Sequence, residues 1–137
     1  MAANAHALER MSETDLTLSD PAEDVRGRDV KDRHGEEVGH VDDLLIDSDS
    51  RVRYLRVAAG GFLGIGEHTF LVPVDAITKI DERHVHVDQT REHLSKTPAY
   101  DPELTYDENY YTNLYGYYGY APYWSPGYQT PGYPFYV

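Results

Sequence analysis

The sequence predicts an all-β fold, a small barrel of about six strands with a short helix after it, flanked by an N-terminal arm and a Tyr/Gly/Pro-rich C-terminal tail. Three observations carry this. Runs of β-branched and aromatic residues recur at short, even spacing between residues 27 and 87. Turn-forming clusters separate them, the strongest being Asp47, Ser48, Asp49 and Ser50. Residues 52–77 read as two strands joined by a glycine-rich connection and ended by a proline.

Taken in order, residues 1–23 read as a flexible arm. They hold at most a helical turn or two over residues 2–11, with Leu8 and Met11 on one side. Residues 27–32 read as a short strand and 33–36 as a turn. Residues 37–46, EVGHVDDLLI, read as a second strand, bent at Gly39. Its apolar phase slips between Val38 and Val41, the signature of a β-bulge, and Leu44, Leu45 and Ile46 suit burial on both faces. In the third strand Leu55 and Val57 share a face with Arg53, while Tyr54 and Arg56 point the other way. Gly60, Gly61, Gly64 and Gly66 supply the bend to the fourth strand, where Phe70 and Val72 share a face opposite Leu71. Pro73 cannot donate to a ladder and marks its end. Residues 78–80 and 84–87 complete the strand set. Thr90 is placed to cap a helix over 91–96, stopped before Pro98.

Composition bounds the chemistry. There is no cysteine, hence no disulfide framework and no thiolate metal site. The net charge is −12. Residues 100–137 carry four acids and no base, which argues against direct nucleic-acid binding there, because phosphate affinity comes from cations. No apolar run approaches the roughly 18 residues that cross a bilayer, and the first residues lack a secretory pattern. A cytoplasmic protein without membrane insertion is expected.

Several motifs occur together and in order. They are Gly27-Arg28-Asp29-Val30, the run Gly35 through Asp47, Arg53-Tyr54-Leu55-Arg56-Val57, Gly60-Gly61-Phe62-Leu63-Gly64, and Val72-Pro73-Val74-Asp75-Ala76-Ile77. Over residues 24–100 this arrangement resembles the PRC-barrel family, in its free-standing bacterial form. Thr90-Arg91-Glu92 and Pro98-Ala99-Tyr100 resemble the end of such domains. The resemblance implies a small β-barrel without catalytic residues that docks onto other proteins. Two well-described settings are the photosynthetic reaction-centre H subunit and a ribosome maturation factor. Neither the membrane helix of the former nor the added N-terminal domain of the latter is expected from these residues.

Residues 101–137 are a separate problem. From residue 100 onward the chain carries twelve of the thirteen tyrosines, together with Trp124 and Phe135, broken by five prolines and four glycines. With few aliphatic residues this segment builds no aliphatic core of its own. Two readings stand: a disordered tail, or rings stacked on the barrel or on a neighbouring copy. Residues 109–121 lack proline and charge, which partly fits a strand-forming zipper.

No nucleophile constellation appears, and no serine sits on a G-x-S-x-G elbow, so no enzyme is expected. His84 and His86 point to one strand face and would contribute two ligands to zinc or nickel, but no third is fixed, so no metal is assigned. Asp42, Asp43, Asp47 and Asp49 lack the rest of a calcium loop. Gly61, Gly64 and Gly66 are a hairpin connection, not a phosphate loop, so no cofactor is expected. The expected function is therefore a protein–protein interaction and assembly module. It would self-associate into a homo-oligomer or filament through the barrel and the aromatic tail. The candidate contact residues are Phe62, Leu63 and Ile65 in the loop and Tyr115, Tyr117, Tyr118, Tyr120, Tyr123 and Trp124 in the tail. The alternative is an adaptor docking onto a larger complex, ribosomal or photosynthetic.

Overall fold

The computed structural model describes residues 8–14, 24–47, 50–60, 68–101 and 108–129. Its elements are β1 (Glu9–Arg10), β2 (Asp29–Lys31), β3 (Glu37–Ile46), β4 (Val52–Ala59), β5 (His68–Pro73), β6 (Ile77–Ile80), β7 (His84–Val87), α1 (Arg91–Ser95) and α2 (Glu108–Tyr118). The strands form one curled sheet in the order β5-β4-β3-β2-β7-β6, with β1 beside β3. Every ladder is antiparallel except β2 with β7. The fold class is the expected one: a half-barrel of short strands followed by a short helix.

β3 is the spine. Its first residues pair with β2, its last two with β1, and β4 runs along its other side. The register slips three times, at Val38 against β2 and, against β4, at Asp42 and between Leu45 and Ile46. The expected bulge is therefore present, and its effect is to bury both Val38 and Gly39. Gly39 is required by proximity. A Cβ there would sit 2.3 Å from the carbonyl oxygen of Ala58. Leu44, Leu45 and Ile46 are all buried, as their unbroken apolar run predicts.

Pro73 ends β5, and a 3-10 turn over Val74–Ala76 leads into β6. Thr90 caps α1 as predicted, its hydroxyl accepting the His93 N–H at 3.0 Å. The carboxylate of Asp32 accepts three further main-chain N–H groups, from His34, Glu36 and Arg91, and so ties the β2–β3 turn to the start of α1.

Two segments differ from expectation. Of the helical turns considered over residues 2–11, residues 2–7 lie outside the described residues and 8–11 are not α-helical: Glu9 and Arg10 pair with Ile46 and Leu45, and a 3-10 turn covers Met11–Glu13. A helix this short nucleates poorly, whereas the end of β3 offers a ready ladder. Met11 is 1% exposed, and Ser12 donates its main-chain N–H and its hydroxyl to the buried Asp43. The second difference is α2, which forms where a zipper-like strand was considered. Tyr111, Leu114, Tyr115 and Tyr118 follow helical spacing and are buried on one face. Gly119, at φ +84°, stops the helix. Its N–H bonds Gly116 and that of Tyr120 bonds Tyr115, the paired bonds of a Schellman end.

Candidate interaction surface

The aromatic segment is fastened to the barrel through its hydroxyls. Tyr118 donates to the main-chain oxygen of Leu71 at 2.7 Å and lies 3.1 Å from the Thr97 hydroxyl. Tyr128 donates to Asp75 at 2.7 Å, Tyr120 to Asp88, and Tyr110 to the Ala99 carbonyl at 3.3 Å. Tyr117 and His93 bond reciprocally. The phenol donates to the His93 carbonyl, the imidazole Nε2 donates to the Tyr117 carbonyl at 2.8 Å, and the rings stack with centroids 4.0 Å apart. This accounts for tyrosine rather than phenylalanine. A ring buries apolar area while its hydroxyl satisfies a barrel carbonyl or carboxylate that would otherwise lose water.

A second anchor is Arg53 on β4. It is 8% exposed, its Nε donates to Asp47 at 2.6 Å, and its guanidinium lies 4.3 Å from the Tyr123 ring centre and 5.9 Å from that of Tyr128. A planar cation between a carboxylate and aromatic faces is held in one orientation. Around it Tyr115, Tyr123 and Trp124 meet edge to face at 5.0–6.3 Å. Burial pushes Asp75 up from the ordinary aspartate range, although Tyr128 donates to it and Arg53 lies near. Burial likewise raises Tyr115 and Tyr118 well above an ordinary phenol.

The candidate contact residues are thus sorted. Tyr115 and Tyr118 are buried against this chain's own barrel. Tyr117, Tyr120, Tyr123 and Trp124 are packed on the core but remain partly exposed. Phe62, Leu63 and Ile65 lie outside the described residues. Sequence reasoning missed the barrel side of the contact, notably Arg53, Asp75, Asp88 and His93. The signal available for the tail side was the spacing of Tyr111, Leu114, Tyr115 and Tyr118.

Three of the candidate aspartates are occupied locally, while Asp49, Gly61, Gly64 and Gly66 lie outside the described residues. Asp42 pairs with Arg56 at 2.7 Å, Asp43 holds Ser12, and Asp47 holds Arg53. An open depression of about 340 Å³ lies between α1 and α2, lined by Arg33, Asp88, Thr90, His93 and Tyr117 among others. Asp88 and His93 there already bond Tyr120 and Tyr117, so it offers support for the helix rather than a poised acid–base pair. No helix among the described residues is long and apolar enough to cross a membrane.

The family model described as PRC-barrel domain matches residues 20–94. No curated protein gives a match to the sequence.

Proposed function

This chain belongs to the PRC-barrel domain family, a non-catalytic family of protein-interaction and assembly modules, and from that premise we propose that it assembles with copies of itself. The contact surface is the partly exposed aromatic platform of Tyr117, Tyr120, Tyr123 and Trp124, and the sequence adds Phe62, Leu63 and Ile65 as further contact residues. The observation that carries the reading is the fastening of this platform to the barrel, through Tyr118, Tyr120, Tyr128 and Arg53. Rings held in place before contact lose little freedom on binding, and tyrosine, tryptophan and arginine are the residues that dominate interface cores. A contact that is not symmetric about a twofold axis would build a ring where its rotation closes and a filament where it does not.

Purification of the tagged full-length chain from its native cells, followed by native mass spectrometry, tests this. Assemblies of this chain alone support it. A stoichiometric complex with a different protein, and no homo-assembly, contradicts it and favours the adaptor reading.

A further inference from the structure

On a part of the barrel that the interaction surface does not use, we propose that Asp81, His84 and His86 bind a divalent transition-metal ion of borderline softness, Zn2+ or Ni2+. His84 and His86 alternate with Val85 and Val87 on β7. The valines are buried, so both imidazoles emerge on the other face, where each is only partly buried. Asp81 stands at the turn before the strand, and its Oδ1 accepts the main-chain N–H groups of Arg83 at 2.9 Å and His84 at 2.8 Å. The turn therefore aims the carboxylate at both rings. Oδ1 lies 3.2 Å from His84 Nδ1 and Oδ2 lies 3.4 Å from His86 Nε2. One donor atom from each of the three residues falls within 4.8 Å of the others.

These separations are those of ligands around one ion. Two donors each about 2.1 Å from a tetrahedral zinc stand about 3.4 Å apart. The third separation, between the two imidazoles, also falls within 4.8 Å, and the partly exposed rings would turn to close on one ion. Two imidazoles and one carboxylate select zinc or nickel over calcium or magnesium, which take oxygen ligands. Three protein donors leave a position for water, as in an open site. The same main-chain bonds, together with the two imidazoles, hold Asp81 well below the ordinary carboxylate range, so it presents a charged oxygen. The register places Asp29 opposite His84, and Lys31 and Lys79 opposite His86. The two lysines weaken cation binding, and Lys31 is drawn off in part by Glu37 at 3.7 Å. Affinity is accordingly expected below that of a closed four-donor zinc site.

Calorimetric titration of the full-length, metal-free chain with zinc or nickel salt tests this, with calcium and magnesium as controls. One Zn2+ or Ni2+ per chain is expected at this site, with no saturable heat from calcium or magnesium. His84→Ala and His86→Ala each weaken binding about tenfold or more, since even losing a group that merely orients a ligand costs 10–100-fold. Asp81→Asn, which keeps the turn's acceptor, weakens it too, while His34→Ala does not. Imidazole resonances read the same site without any substitution: those of His84 and His86 move on adding Zn2+, and that of His34 does not. Absence of saturable binding, or binding that leaves both resonances unmoved and survives the double alanine variant, overturns the proposal.

Discussion

The Tyr118 hydroxyl and the Leu71 carbonyl, 2.7 Å apart, close part of the free edge of β5. Thr69, two residues earlier on the same side of the strand, receives the Tyr100 N–H at 2.8 Å. Strand edges left open invite pairing with other chains, so these bonds protect the barrel while docking the aromatic segment. Tyr118→Phe leaves the Leu71 oxygen buried without its donor. A loss of about 1–3 kcal/mol is expected in a denaturant titration. An unchanged midpoint would show that the bond contributes nothing.

Tyr54 and Tyr115 make the opposite case. Their rings meet at 5.5 Å and both are buried, but neither hydroxyl makes a well-formed hydrogen bond among the described residues. Removing an unsatisfied buried hydroxyl relieves a desolvation cost. Tyr115→Phe should therefore be neutral or stabilising in the titration that registers Tyr118→Phe as a loss. A destabilisation of similar size would contradict this difference between the two tyrosines.

Two glycines should respond in opposite directions to alanine. At Gly39 the new Cβ meets the Ala58 main chain at 2.3 Å, and only a shift of β4 relieves it. Gly39→Ala is expected to cost roughly 1–3 kcal/mol or more. At Gly116, inside α2, the Cβ enters open space. Gly116→Ala is expected to stabilise by about 0.5–1 kcal/mol through helix propensity. Thermal melts of the two variants beside the parent would check both signs.

Much of the barrel was legible because its signals are local. Alternation, turn residues, Pro73 and Thr90 each act within a few positions of the chain, and the structure keeps them. The arm was misread because what makes Glu9 and Arg10 a strand is the vacancy beside Leu45 and Ile46, far away in sequence. The tail was only half read. Its composition correctly denied it an aliphatic core, but the helical spacing of Tyr111, Leu114, Tyr115 and Tyr118 was hidden by the low-complexity run around it. Its partners are main-chain oxygens and carboxylates of the barrel, which no pattern in the tail discloses. Asp81 falls between the strand segments 78–80 and 84–87 with no signal of its own, and only the bend of the hairpin carries it to His84 and His86.

Asp32 sets a pH dependence. Burial alone would raise it, but the N–H groups of Glu36, Arg91 and His34 outweigh that and hold it below the ordinary aspartate value. A depressed carboxylate stabilises the fold above its unfolded pKa, near 3.8, and that contribution disappears as pH falls through the lower folded value. Asp32→Asn turns an acceptor towards Arg91 into a donor, so a cost of about 1–3 kcal/mol is expected at neutral pH. The gap to the parent should narrow as both are acidified below pH 4. A gap independent of pH would mean that the charge is not what matters.

Sedimentation velocity of the full-length chain over a concentration series tests the assembly reading most directly. The parent should form species heavier than one 15.6 kDa chain that grow with concentration, and Tyr123→Ser combined with Trp124→Ser should shift them towards the monomer. A parent that sediments as a single 15.6 kDa species at every concentration would contradict it.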